Sequence, residues 1–280
     1  MPEIGEIQAH AARIEKDWVG KTLEKFRPVT FYVLKTFSPD PSSAHGERLL
    51  SVSTRGKYLK LEFENTTFLV HLMQGGRLRP DERQSAKPRG GQARWSFDDG
   101  SALLLTEAGS DKRAGIWVFD ANADLSEVEP LSRLGPSADE VSIETLHELL
   151  TENSMRVHGL LRRQGIIAGL GRRLANDVCH HAKISPFATS SKLDDGQVES
   201  LHAAIGACIE LSLEFERNQS EIVASKSRPS AIHNRAGEPC PVCADEIREV
   251  AYVKYSINYC PTCQTKGKIL ADNTTSKFLK

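Results

Sequence analysis

No apolar run in the sequence approaches the roughly 20 residues that a membrane-spanning helix needs. The N-terminus also lacks the basic-then-apolar layout of a signal peptide. No membrane partner is expected, and the chain reads as cytoplasmic. Net charge is missing too, since 36 Lys and Arg stand against 37 Asp and Glu, leaving −1. That sum excludes a uniform polycation but hides local fields, and it is clustering that steers a charged partner. A disulfide framework is absent: of six cysteines, four fall in two CPxC pairs near the end, while Cys179 and Cys208 sit alone among helix-period residues. Such spacing points to metal and not to oxidation. There is no long internal repeat, and nothing implies an organic cofactor.

What is present is an ordinary globular composition, 39% hydrophobic and 26% charged over 280 residues, enough for roughly two domains. Ile4, Ile7, Ala11, Ile14 and Trp18 recur at helical spacing, and Gly20 follows as a stop. The period then changes to two. In KYLKLEFENTTFLVHL, Leu59, Leu61 and Phe63 alternate with Lys60, Glu62 and Glu64, and ENTT turns into a second strand. RWSFDDGSALLLTE repeats the pattern around the Asp99-Gly100 turn. The first part thus reads as a β-sandwich with a flanking helix, and EPLSRLGPSADEVS as a linker. Helix-period segments follow: SIETLHELLTEN, RVHGLLRRQGIIAGLGRRLANDVCHHAKIS and LHAAIGACIELSLEFER. After the polar KSRPSAIHNRAG, the cysteine-bearing segment closes an α+β chain.

Three stretches carry chemistry. In CPVCADEIREVAYVKYSINYCPTC, two short knuckles brought together across a β-hairpin place Cys240, Cys243, Cys260 and Cys263 around one structural zinc ion. Such a site is closed to substrate, so its work is to fold and position the hairpin, with Lys254, Lys266 and Lys268 flanking it for phosphate contact. Arg156, Arg162, Arg163, Arg172, Arg173 and Lys183 meet few acids, and the glycine-containing turn GIIAGLGRR between them would aim backbone N–H groups at an anion. The same charge run also describes a solvated face. The opening MPEIGE, by itself, is a helix start: proline suits the first helical turn, and Glu3 and Glu6 suit the positive end of the helix dipole.

Taken together, these stretches resemble the formamidopyrimidine-DNA glycosylase and endonuclease VIII family nearly from end to end. MPEIGE is similar to the family's N-terminal MPELPE, TRGKYL to its lysine loop, HLMQGGRL to HLGMSGRL and SDKRAG to DxRRFG. IIAGLGRRLANDVCHHAKISP resembles its helix-two-turn-helix, and HNRAGEPCPVC with YCPTCQ its zinc finger. The resemblance implies two lobes with a basic cleft between them. It assigns residues 1–125 to a catalytic β-sandwich, 126–142 to a linker, 143–230 to a helix-two-turn-helix DNA-binding domain, 231–270 to the zinc finger and 271–280 to a tail. It implies a bifunctional DNA glycosylase and abasic-site lyase of base excision repair. The partner would be double-stranded DNA with damaged bases or abasic sites, the location nucleoid-associated, and a monomer would suffice.

On that resemblance Pro2, once Met1 is removed, becomes a secondary amine able to attack the sugar of a damaged nucleotide. Glu3 would move protons at the sugar and leaving group. Glu6 is either catalytic support or a cap for the first helix turn. Lys57 would contact a phosphate and assist elimination; without the resemblance it is a strand-edge lysine. Arg113 would enter the gap left by an everted base, but the family's wedging phenylalanine is replaced by Ala114 and Gly115. Gln74 holds the intercalating methionine position, with Met73 one residue earlier. Arg172 replaces a phosphate-binding asparagine, and Asp177 a glutamate. Tyr255, beside Lys254, replaces the arginine of the zinc hairpin. His71 could equally be a core histidine. Unstacking a base costs a few kcal/mol that such plugs usually offset, so the altered readers leave two readings: an active enzyme of changed specificity, or a non-catalytic binder of damaged DNA.

Overall fold

The computed structural model describes residues 1–253 and 255–270, among which ten strands and six α-helices form. They group into two compact units, Met1–Arg133 with Leu213–Ser227, and Leu134–Ser212 with the chain from Arg228 onward. None of the helices among the described residues is long and apolar enough to cross a membrane.

The first unit opens with α1 (Ile4–Trp18) and continues through β1 (Leu23–Pro28), β2 (Leu49–Arg55), β3 (Tyr58–Phe63), β4 (Thr66–His71), β5 (Gly76–Pro80), β6 (Gly91–Phe97), β7 (Ala102–Glu107) and β8 (Gly115–Asp120). These strands make two four-stranded sheets, ordered β1-β6-β7-β5 and β2-β3-β4-β8, with every pairing antiparallel. The alternation in β3 has its expected consequence: Leu59, Leu61 and Phe63 are buried, and Leu59 and Leu61 sit opposite Val70 and Phe68 of β4. Phe26, Phe68 and Trp95 meet in the sandwich interior with ring centroids 5.0 to 5.8 Å apart. Burying a side chain of this size stabilises by about 1.5–3 kcal/mol. α1 lays Ile7, Ala11, Ile14 and Trp18 into the same core against β2 and β3, with the Trp18 ring 5.0 Å from Phe97.

The second unit contains α2 (Ile143–Glu152), α3 (Val157–Leu161), α4 (Arg172–His181), most of α5 (Asp195–Arg217), the hairpin β9 (Arg248–Tyr252) and β10 (Tyr255–Tyr259), and α6 (Pro261–Thr265). Ser142 caps α2 by accepting from the Thr145 N–H at 3.2 Å. The α3–α4 turn is organised by Gln164, whose Nε2 donates to the carbonyls of Arg162 and Leu170 at 2.9 and 2.8 Å. Its Oε1 accepts from the Gly169 N–H at 3.1 Å. The cysteine-bearing segment is tied to α4 through Asp177, which accepts from Ser230 Oγ at 2.6 Å and Ile232 N–H at 3.2 Å. Gln264 Nε2 adds a bond to the Ile184 carbonyl at 2.9 Å.

Candidate active site and metal centre

At the head of α1 the sequence builds a reciprocal cap. The Glu3 carboxylate accepts from the Glu6 backbone N–H, and Glu6 Oε2 accepts from the Glu3 N–H at 3.0 Å. Both residues are buried, 4% and 2% exposed, and Pro2 in front of them is buried as well. Two carboxylates are therefore fixed, by backbone geometry and not by chance packing, directly behind the proline. Glu6 does act as a cap, one of the two roles its position allowed.

Around this turn lies a network that sequence patterns did not single out. Arg77 of β5 lies in the field of Glu6 and Glu216; burial pulls its guanidinium below the usual range while those two charges oppose the shift. Arg77 donates from Nε to the Val223 carbonyl at 3.1 Å and from Nη2 to Ser225 Oγ at 3.3 Å. Arg13 of α1 donates to the carbonyls of Glu216 and Gln219. The returning segment Leu213–Ser227 is thus strapped to α1 and β5. His10 Nδ1 contacts the Glu6 carbonyl at 2.9 Å, and burial above all, then the charges of Arg77 and Arg13, hold its pKa down at about 4.

Lys57 occupies the β2–β3 turn and is 5% exposed. Gly56 before it has φ +57°, a left-handed conformation that side chains resist, so the glycine is what lets the turn present the lysine. Burial first, and the Lys57 charge second, bring His71 to about 4. The neutral His71 accepts the Met73 N–H at Nδ1, 3.1 Å away, and its ring meets Tyr58 edge-on at 4.6 Å. This is a histidine that shapes a turn. Gln74 is exposed in that same turn. Gly76 closes it, since a Cβ there would lie 2.1 Å from the Leu72 carbonyl oxygen.

Arg113 is exposed, and its guanidinium pairs with Asp111 through Nη2 at 2.8 Å and Nε at 3.0 Å. Its backbone N–H and that of Ala114 both donate to Glu107 Oε2, at 2.6 and 2.7 Å. Glu107, 1% exposed, therefore aims the SDKRAG loop. A carboxylate ending the otherwise apolar run ALLLTE was the available signal. In the second unit Arg172 is exposed at the first position of α4. Burial raises the pKa of Asp177, whose carboxylate is used to tie down Ser230 and Ile232. Lys254 lies outside the described residues.

Cys240, Cys243, Cys260 and Cys263 converge, with all four Sγ atoms within 4.8 Å of one another. The Sγ–Sγ separations are 3.4 Å for Cys243–Cys260, 3.5 Å for Cys243–Cys263 and 3.9 Å for Cys240–Cys263. A tetrahedral zinc ion with Zn–S bonds of about 2.3 Å needs sulfurs about 3.8 Å apart. The cluster has those dimensions, so the residues fit the ion. The Val242 N–H points at Cys240 Sγ from 3.5 Å, and His180 Nε2 lies 3.2 Å from the same sulfur. Outer partners of this kind orient metal ligands.

A sandwich with a capped proline-led helix, a helical turn and a four-cysteine hairpin define a DNA-glycosylase architecture, and comparison with known proteins agrees. Residues 1–113 match the model of the formamidopyrimidine-DNA glycosylase N-terminal domain, and residues 133–224 that of its H2TH domain. A Mycobacterium tuberculosis relative, described as an uncharacterized formamidopyrimidine-DNA glycosylase-like protein, is 41% identical over 149 residues, 52% of this chain and 94% of that protein. The formamidopyrimidine-DNA glycosylase of Chloroflexus aurantiacus is 26% identical over 274 residues, 94% of this chain and 98% of that one. The Lactococcus lactis enzyme, solved non-covalently bound to DNA containing an AP site, has the same fold, with a TM-score of 0.83 at 20% identity, covering 94% of this chain and 99% of that one. The chain belongs to the formamidopyrimidine-DNA glycosylase family.

Proposed function

We propose that this protein is a DNA glycosylase with abasic-site lyase activity, acting through the amine of Pro2 once Met1 is removed. The observation that carries the reading is the buried Pro2 backed by the interlocked carboxylates of Glu3 and Glu6. The secondary amine attacks C1′ of the damaged nucleotide and the base departs with its bonding electrons. Opening of the sugar leaves an iminium between Pro2 and C1′. Loss of a C2′ proton then expels the 3′ phosphate. Glu3 moves protons at the sugar and leaving base, with Glu6 holding the turn that carries it. Lys57 contributes a buried positive charge toward a strand phosphate. Arg172, Lys254 and the four-cysteine hairpin supply further phosphate grip, Arg113 and Gln74 address the gap left by the everted base, and a zinc ion on the four thiolates holds the hairpin's shape. A protein working this way acts where the genomic DNA is.

A second reading, a non-catalytic binder of damaged DNA, draws on one observation. Arg113 is engaged by Asp111, and Ala114, fully buried, offers no side chain to wedge into the stack. Borohydride trapping on a duplex with one abasic site separates the two, because it bypasses base recognition. The lyase reading expects a covalent adduct that disappears in protein whose N-terminus is kept blocked by residues ahead of Pro2. DNA binding with no adduct, at a verified Pro2 terminus, would leave the binder.

A further inference from the structure

The tip of the four-cysteine hairpin carries an arrangement that the proposed chemistry does not use. Tyr252 and Tyr255 form the register pair next to the turn, and their rings stack at 4.8 Å with 15° between planes. The Arg162 guanidinium lies 4.4 Å from the Tyr255 ring centroid. Arg156 Nη1 donates to the Tyr252 hydroxyl at 3.3 Å, and its guanidinium lies 5.0 Å from the Phe187 ring. Arg156 and Arg162 are the two residues that cap α3, so one short helix holds the hairpin pair at both ends.

Neither arginine pairs with a carboxylate among the described residues. A guanidinium lying on a ring face keeps its N–H edge available, and each one carries five donors in a fixed fork suited to phosphate. Arg156 is exposed, Arg162 is partly so, and Val253 at the hairpin turn is fully exposed. A merely solvated arginine would not be ordered in this way. These two cations are oriented by aromatic surfaces and left without a counter-ion among the described residues.

We propose that Arg156 and Arg162, ordered by Tyr252, Tyr255 and Phe187, form a clamp for DNA phosphodiesters at the hairpin tip. The positive charge that the hairpin lacks at Tyr255 is supplied from α3 across the face of that ring. Tyr252 and Tyr255 are positioning residues, and the clamp rests on the DNA-binding reading above.

The test measures binding of metal-loaded protein to a duplex carrying a tetrahydrofuran abasic-site analogue, between about 50 and about 200 mM salt, where each phosphate contact contributes about 0.9 to the slope of log K against log salt. Arg156→Gln and Arg162→Gln should each lower the slope by about 0.9, and the double variant by about twice that. Tyr255→Leu should lower it in part, and Tyr255→Phe, which keeps the ring, should restore it. Metal content, measured alongside, should stay at one ion per chain. Arginine variants with intact metal and the wild-type slope would overturn the clamp, because a contact that only docks the hairpin on α3 leaves the slope alone. Wild-type protein that fails to bind the duplex would instead overturn the DNA-binding reading itself.

Discussion

The two units hold their functional residues by different means. In the first, Glu3, Glu6 and Lys57 sit against a continuous apolar core running from Ile7 and Trp18 through Phe68 and Trp95 to Val118. In the second, Cys240, Cys260 and Cys263 share a small core with Ile232, Ile247 and Ala231. A core of the first kind can carry buried charge, because the cost of burying a carboxylate is offset by backbone donors already fixed in place. A core of the second kind is too small to stand alone, and small domains of this sort draw their stability from metal. The chemistry and the hairpin grip should therefore fail independently.

The largest expected effect comes from the metal. Structural zinc supplies about 10–16 kcal/mol of apparent binding free energy to such sites, more than most domains have in total stability. Chelation, or Cys243→Ser, should abolish amide-exchange protection in β9 and β10 while the sandwich strands remain protected. Simultaneous loss in both units would show that the contrast is false. A smaller effect should come from acid. The pKa of His10, 2% exposed, is lowered from 6.5 to about 4, so between those values the unfolded chain binds the extra proton. Stability from this group is complete above about pH 6.5 and is lost as pH falls toward 4, about 3 kcal/mol in all. Denaturation of the first unit followed against pH should show that slope, and His10→Gln should flatten it. The smallest effect is the cap: Glu6→Ala should cost about 1 kcal/mol of stability by denaturant titration, yet reduce lyase activity far more than that loss explains.

What was legible in the sequence were features that repeat or that carry their own geometry. The period of two in β3 and β4, the apolar stripe of α1, the Asp99-Gly100 turn and the paired cysteines all state their local structure, and each formed as read. Arg77 and Gln164 were not legible, and Glu107 was legible only as an acid closing an apolar run. Each is a single polar residue whose partner is chosen by tertiary neighbours: a loop backbone for Glu107, the returning segment for Arg77, a helical turn for Gln164. The return of Leu213–Ser227 to the first unit was hidden for the same reason, since α5 keeps helical periodicity across the point where its companions change. The replacement of the hairpin arginine by Tyr255 was visible as a missing charge. Its counterpart on Arg162 could be found once the rings had positions.

The most direct test of the account is to map the borohydride-trapped adduct by peptide mass spectrometry. The account predicts that the modified sugar resides on the N-terminal peptide, at the amine of Pro2 with Met1 removed. An adduct on a lysine-containing peptide such as that of Lys57, with the N-terminal peptide unmodified, would contradict it.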